Sequence, residues 1–191
     1  LVWLTAKSRS KRQAFFSGWF FAVGQFCWGL QWIAVAFTYQ GAMPAWLGYV
    51  SVFLLSLYLA VYPGLATLGA YWTLQLNARE RPASVYGYVL AFAGFWIITE
   101  WLRSWVFTGF AWNPLSVSAV GTAFASPTTA IGTYGASGLI IIAGGVTIGL
   151  LAALLQTQGK LVIERLLNFA GLLLLSVLLG WMGSGDTPPP P

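Results

Sequence analysis

Long runs without charged residues constrain this chain more than any other feature of its sequence. Residues 13–78 contain no Asp, Glu, Lys or Arg, and only 7% of the 191 residues are charged. Soluble domains carry about 25% of these four residue types, so this composition cannot cover a water-exposed surface. With 58% hydrophobic residues and a mean hydropathy of +0.76, the sequence predicts an integral membrane protein.

The apolar runs predict transmembrane α-helices. Strands of a membrane barrel would alternate polar and apolar residues, whereas these segments are apolar on all sides. We therefore predict an all-α fold, a polytopic transmembrane helix bundle of about five spans. As a helix, the first run would be ~36 Å long, enough to cross a hydrocarbon core of ~30 Å, and Pro63 should kink the second. The predicted spans are residues 14–37, 45–76, 84–105, 135–155 and 161–182.

The composition of both ends is typical of segments that belong to a longer protein. Residues 1–13 are interpreted as a basic cytoplasmic segment that follows the remnant of a preceding helix, because residues 1–6 are apolar but too short to cross a bilayer. Residues 183–191 end in four prolines and have linker composition. We expect a fragment of a larger membrane protein, with its bundle in residues 14–182 and a long outer loop at residues 106–134.

Basic residues in the short loops predict the orientation of the helices. If the five helices alternate in direction, the basic residues that flank them all fall on one side, and that side is normally cytoplasmic. The N-terminal end is then cytoplasmic and the C-terminal end lies across the membrane. The net charge of +5 is accordingly a topology signal and a weak argument for nucleic-acid binding. These basic residues are Lys7, Arg9, Lys11, Arg12, Arg79, Arg81, Lys160 and Arg165.

The composition excludes most catalytic chemistry from this chain. It has no histidine and one cysteine, which excludes metal sites with histidine ligands, Ser-His-Asp triads and Cys-His dyads. We predict no catalytic residue, no metal site and no cofactor. Cys27 lies between Phe26 and Trp28 in the middle of the first span, where desolvation disfavours a thiolate, so we predict an inert packing role for it.

One pair of opposite charges lies near the end of the third predicted span. Glu100 and Arg103 are spaced i to i+3, so they share a helix face and can pair. A charge at membrane depth is costly, which makes the pair a candidate functional site. The alternative is a pair that only fixes the helix end to its neighbours.

Aromatic residues crowd the same end of this span and the loop that follows. A belt of aromatic rings at the membrane interface explains them, and a lipid-contacting surface beside a reaction site is the competing interpretation. Gly109 and Pro114 interrupt the helix, and the loop is long enough to suggest a function. The aromatic residues are Trp101, Trp105, Phe107, Phe110 and Trp112.

The same segment resembles a family signature. Residues 100–112 read EWLRSWVFTGFAW, which is similar to E-[FW]-L-R-G-W-[LV]-x-T-G-F-P-W of the bacterial apolipoprotein N-acyltransferases. Ser104 replaces the usual Gly and Ala111 the usual Pro. The backbone at these two positions is therefore where this chain would differ in shape from other members. Three further stretches resemble family motifs in the same order, namely GAMP at residues 41–44, YLAVYPG at residues 58–64 and IGTYGAS at residues 131–137.

The resemblance implies a membrane enzyme that transfers a fatty acyl chain from a phospholipid to the N-terminal amine of a diacylglyceryl-cysteine lipoprotein. Members combine a membrane bundle with a periplasmic nitrilase-like domain, whose cysteine, glutamate and lysine perform the reaction. That domain is absent from this chain, so the chain alone should be inactive and should anchor the enzyme in the bacterial inner membrane and present lipids. The implied partners are the phospholipid acyl donor, the diacylated lipoprotein acceptor, other membrane lipids and the nitrilase-like domain, but no nucleic acid.

Residues for lipid contact follow from combining the motif with its position in the membrane. Arg103 could meet phosphate or carbonyl oxygens of a lipid, and the aromatic residues could line its entrance. A small membrane transporter and a non-catalytic membrane scaffold remain as alternatives, since interrupted helices with intramembrane charges occur in transporters too. The candidate substrate- or lipid-contact residues are Glu100, Arg103, Trp105, Phe107, Phe110 and Trp112.

Overall fold

The chain folds into helices, as the sequence predicts. A computed structural model describes residues 1–39, 44–80, 85–107, 109–122, 125–155 and 159–184, and no strand occurs within these ranges. Contacts divide the chain into two compact units, one with residues 3–113 and the other with residues 114–191. The all-α fold and its helices of membrane-spanning length confirm the predicted fold class.

The first unit contains five long or medium helices, preceded by the short helix α1 (Val2–Ala6). Helix α5 packs against both α2 and α6, while α4 packs against α2 and α3. The long helices are α2 (Lys11–Gly29), α3 (Gln31–Thr38), α4 (Trp46–Leu59), α5 (Val61–Glu80) and α6 (Val85–Arg103).

Two of the predicted spans are each built from two consecutive helices. The second span breaks at Ala60, three residues before Pro63. Proline has no N–H to donate to the carbonyl four residues earlier and its ring crowds that carbonyl, so the predicted kink is confirmed. The first span also breaks, at Leu30, where the sequence has no proline to predict a break.

Local chemistry explains where α2 begins and how closely it approaches α5. The Ser10 side chain accepts a hydrogen bond from the Gln13 N–H at 3.2 Å, and the Gln13 side chain accepts from the Arg9 N–H at 2.8 Å. Ser10 is the N-cap of α2 and satisfies a helix-end donor, while the Gln13 side chain reaches back to the residue before the cap, a variant of the capping box. Further along, Gly18 lies directly against Thr67, where any side chain would clash. Small residues of this kind let membrane helices pack closely.

The core of the first unit lies between α2, α3 and α4. Phe26, Leu30 and Leu59 are its largest side chains, and Phe110 from the segment after α6 packs against it. The loop that carries the aromatic motif is therefore attached to the core by one of its own rings. The buried members are Ala22, Phe26, Leu30, Ala34, Val52, Leu59 and Ala60.

The second unit contains a 3-10 helix (Leu115–Ala119), α7 (Thr128–Leu155) and α8 (Gly159–Ser184). Helix α7 packs against the other two. Its first turn follows Pro127, a residue suited to helix starts, and Gly132 then interrupts it with φ 72° and ψ 174°. Regular helix resumes after Gly132, close to the predicted start at residue 135. The predicted loop at 106–134 thus contains two short helical segments.

Four of the five predicted spans coincide with helical segments that are long and apolar enough to cross a membrane. These segments are Lys11–Thr38, Trp46–Leu76, Val85–Arg103 and Thr128–Ala152. The fifth falls on the 26-residue α8, whose apolar part is Leu166–Leu179, and it stays a prediction. Most of the predicted linker, residues 185–191, lies outside the described residues.

Candidate functional site

The charged pair of the third span is buried inside the first unit. Glu100 is 4% exposed and Arg103 is 1% exposed. Both lie on the face of α6 that also buries Phe92, Trp96 and Thr99, which recur at the three- and four-residue spacing of one helix side. Glu100 and Arg103 are therefore buried because they lie on the same face of α6 as its apolar residues.

Glu100 is held by the indole of the preceding turn. The Trp96 Nε1–H donates to Glu100 Oε1 at 3.0 Å, and both groups are buried. The Trp96 ring stacks on Phe92 at a centroid distance of 6.2 Å and meets Phe21 of α2 edge-on. A charge-assisted hydrogen bond offsets part of the cost of burying a carboxylate.

Arg103 holds the loop that follows α6. Its Nη1 donates to the carbonyl oxygens of Phe110 at 3.0 Å and Trp112 at 2.7 Å. Its guanidinium carbon lies 5.0 Å from the centroid of the Phe26 ring, within the range of a cation–π contact. The Phe110 N–H donates in return to the Arg103 carbonyl at 2.9 Å. These contacts fold residues 104–107 and 109–112 back over the end of the helix, and we call these residues the clamped loop.

The backbone of the clamped loop turns through two left-handed conformations. Phe107 has φ 56° and Gly109 has φ 66°. Such a φ is uncommon for a bulky residue, whereas glycine adopts it freely. A side chain at position 109 would also meet the Ser104 carbonyl. The Ser104 hydroxyl, where the family motif has Gly, donates to the Trp101 carbonyl at 2.6 Å and so stays within its own helix turn.

Three aromatic rings of the clamped loop point outward. Trp105, Phe107 and Trp112 are 70%, 84% and 63% exposed. Trp112 lies 5.8 Å from Trp32 and Phe107 lies 6.1 Å from Tyr58, measured between ring centroids. A membrane bilayer would cover rings at this position, whose apolar area is otherwise costly to expose.

Asn113 follows the clamped loop directly and is not among the residues predicted from the sequence. Its backbone is left-handed, with φ 55°. Its Nδ2 donates to the Gln25 carbonyl at 3.4 Å, and its side chain fills the space beside Gly29 that a methyl group would need. This contact lies at the break between α2 and α3. An Asn before Pro114, a common turn signal, could have pointed to it.

Two tyrosines extend the site toward α4 and α5. The Tyr58 and Tyr62 rings meet edge-on at a centroid distance of 6.3 Å. Tyr62 is buried while Tyr58 is exposed. Phe107 of the clamped loop therefore contacts Tyr58 of α4, which in turn contacts Tyr62 of α5.

The arrangement can fix a loop and present apolar rings. Among the described residues, no group of three His, Cys, Asp or Glu side chains could hold a metal ion. Cys27 is half-buried in α2. Of the sequence-predicted residues, Arg103 is joined to the backbone of Phe110 and Trp112, while the side chains of Trp105 and Phe107 point away.

Comparison with known proteins agrees with the motif. The model of the "Apolipoprotein N-acyltransferase N-terminal domain" family matches residues 1–146. A protein of Ralstonia nicotianae named apolipoprotein N-acyltransferase is 30% identical over 181 residues, which are 95% of this chain and 32% of that protein. Relatives of the same name from Bordetella bronchiseptica and Shewanella oneidensis are 32% and 33% identical over 91% and 73% of this chain.

These alignments cover 32% and 26% of those two relatives, so the chain spans about a third or less of the curated proteins that it matches. The family model covers most of the chain and includes the clamped loop. The chain belongs to the apolipoprotein N-acyltransferase family.

Proposed function

We propose that this chain is the membrane part of an apolipoprotein N-acyltransferase. The whole enzyme would transfer a fatty acyl chain from a phospholipid to the N-terminal amine of a diacylglyceryl-cysteine lipoprotein. The membrane part would anchor the enzyme in the inner membrane and present both lipid substrates. Its N-terminal end would be cytoplasmic and its C-terminal end periplasmic, as the distribution of basic residues indicates.

The bonds from Arg103 to the Phe110 and Trp112 carbonyls carry this proposal. They hold the loop of the family motif in one conformation while three of its rings remain exposed. A preformed apolar surface binds a lipid chain at a lower entropic cost than a mobile loop, because the loop need not be ordered on binding. We therefore propose Trp105, Phe107 and Trp112 as lipid contacts.

Glu100, Arg103 and Phe110 would act through the loop. In their observed positions the two charged side chains are too deeply buried to contact a lipid headgroup, and Phe110 packs on the core. Their burial supports a role as positioning residues and replaces the expectation that Arg103 binds phosphate directly.

The acyl transfer itself would take place in another domain. In the chemistry that the family implies, a cysteine thiolate attacks the phospholipid ester, forms a thioester and releases the lysophospholipid. The lipoprotein amine then attacks the thioester, loses its proton to the general base and regenerates the thiolate. No step would use a side chain of this chain, so we propose that the chain alone is inactive.

An exchange experiment tests this function. The segment of the Ralstonia nicotianae relative that aligns with this chain is replaced by residues 1–191, and the chimera is expressed in cells depleted of their own N-acyltransferase. Mass spectrometry of the N-terminal peptide of a lipoprotein distinguishes diacylated from triacylated forms. We expect triacylated lipoprotein and restored growth.

The parent enzyme and a Gly24→Ala chimera serve as controls, because an added methyl at Gly24 meets no atom within 4 Å. A chimera that reaches the membrane in parental amounts while the lipoproteins stay diacylated would contradict the proposal. Such a result would favour a transporter or a scaffold.

A further inference from the structure

A cavity lies at the opposite end of the first unit from the clamped loop. It lies where α2 begins and the C-terminal half of α5 passes beside it, and its volume is about 470 Å³. That size lies within the ~300–1,000 Å³ of small-molecule sites. Its lining residues are Lys11, Tyr71, Trp72, Gln75 and Leu76.

The α5 residues of this cavity form one helix face. Positions 71, 72, 75 and 76 recur at the spacing of adjacent turns, and Tyr71 is 7% exposed while Trp72 is half-exposed. The face offers a phenol hydroxyl and an amide as hydrogen-bond donors, beside an indole ring and a leucine. Polar donors and apolar rings side by side suit a ligand with both a headgroup and a chain.

Lys11 supplies the positive charge of the cavity. Its Nζ lies 5.8 Å from the centroid of the Trp72 ring, near the ~6 Å outer limit of a cation–π contact. By comparison, Lys7 lies 4.2 Å from the Trp3 ring. The Lys11 side chain therefore lines the cavity while its ammonium lies beside the Trp72 ring.

The surrounding charge favours an anionic ligand. Lys7, Arg9, Lys11 and Arg12 occur within six positions, and the first acidic residue of the chain is Glu80. Cations in the first turn of a helix are unfavourable because they face the positive end of its dipole, so helix stability does not explain Lys11 and Arg12. A phosphate-bearing ligand in the cavity would compensate Lys11, which lines it.

From this cavity we infer that the first unit binds one anionic phospholipid, with the phosphate on Lys11, Tyr71 and Gln75 and the glycerol and chains along Trp72 and Leu76. Basic pockets between membrane helices are suited to such headgroups. This site differs from the proposed acyl-donor surface, since it lies at the other end of α2 and does not involve the clamped loop.

The binding test uses the full 191-residue chain in nanodiscs of zwitterionic lipid that contain a small fraction of phosphatidylglycerol. Native mass spectrometry measures how many phosphatidylglycerol molecules stay bound after the nanodisc is removed. We expect one retained molecule, and a loss of retention by about tenfold or more in K11Q. This exceeds the ~5-fold that one surface cation contributes through diffuse attraction, which corresponds to ~1 kcal/mol.

Two further variants separate a built site from diffuse charge. R9Q removes the same charge from outside the cavity, so its loss should stay within ~5-fold. W72A removes no charge, yet it should also reduce retention, and Gln75→Leu provides the same test if W72A fails to fold. Circular dichroism and gel filtration verify the fold of each variant.

Equal losses in K11Q and R9Q, with full retention in W72A and Gln75→Leu, would overturn the proposal in favour of diffuse attraction. Displacement of the lipid by millimolar inorganic phosphate would also overturn it, because the site would then recognise free phosphate and not a lipid. Neither result depends on acyltransferase activity, so this inference and the proposed function can fail separately.

Discussion

The Arg103 guanidinium donates to the Trp112 carbonyl at 2.7 Å, across nine residues of a loop that turns back on its own helix. The same nitrogen bonds to the Phe110 carbonyl at 3.0 Å, so one buried cation fixes two points of the loop. Hydrogen bonds to a charged group contribute more than neutral ones, at about 1.5–3 kcal/mol each. The position of the exposed rings therefore depends on a side chain that is itself buried.

Replacing Arg103 should release the clamped loop. In R103A the two carbonyls lose their donor, and we expect amide hydrogen exchange at Phe110 to accelerate by roughly 10–100-fold, as a local loss of ~1.4–3 kcal/mol implies. The exchange rate at Phe110 in R103K should lie between those of the parent and R103A, because an ammonium is less suited to reach both carbonyls. Arg12→Ala, an exposed cation on α2, is the control. Unchanged exchange at Phe110 in R103A would show that the loop holds its position without the clamp.

The bond between Trp96 and Glu100 should appear as coupling between the two residues. Trp96→Phe leaves the carboxylate without its 3.0 Å donor, so we expect a loss of ~1–3 kcal/mol in thermal or denaturant unfolding in detergent. In an E100A background the same change should cost at least ~0.5 kcal/mol less, since residues in contact are not additive. Trp101→Phe lies on the exposed side of α6, and its free energy of unfolding should stay within ~0.5 kcal/mol of the parent's. Additive losses would show that the bond contributes nothing.

Gly29 and Gly24 provide a matched pair on one helix. A methyl group at Gly29 would occupy the space of the Asn113 side chain, whereas one at Gly24 meets nothing within 4 Å. We expect Gly29→Ala to destabilise by ~1–3 kcal/mol and Gly24→Ala to be neutral or stabilising by up to ~1 kcal/mol. Asn113→Ala should recover part of the loss in a Gly29→Ala background. Equal effects of the two glycine substitutions would contradict this packing.

The helical spans could be predicted because their cause lies in the local sequence. Hydropathy defines the runs, and Pro63 breaks its helix whatever surrounds it. The break at Leu30 could not be predicted, because it accompanies a contact between Gly29 and Asn113 that forms only after folding. Helical or strand periodicity relates only residues that are close in sequence, so it cannot predict a contact between residues as far apart as Gly29 and Asn113.

The helix face of the charged pair could be predicted from the sequence, whereas its contacts could not. The spacing of Glu100 and Arg103 placed both on one helix face, and their burial agrees with that placement. The acceptors of Arg103 are backbone carbonyls, which every residue has, so the motif does not identify them. They become acceptors only because Phe107 and Gly109 adopt left-handed conformations. Trp96, four residues before Glu100, could have been selected from helix spacing alone.

The rate of acyl-enzyme formation tests the central claim most directly. The chimera with the Ralstonia nicotianae relative is mixed with phospholipid, and the thioester is measured by mass spectrometry over time, for the parental chimera, R103A, R103K and Gly24→Ala. If the clamped loop presents the lipid, R103A should form thioester at least ~10-fold more slowly, R103K should be intermediate and Gly24→Ala unchanged. A parental rate in R103A, with its loop shown by hydrogen exchange to be released, would contradict the account.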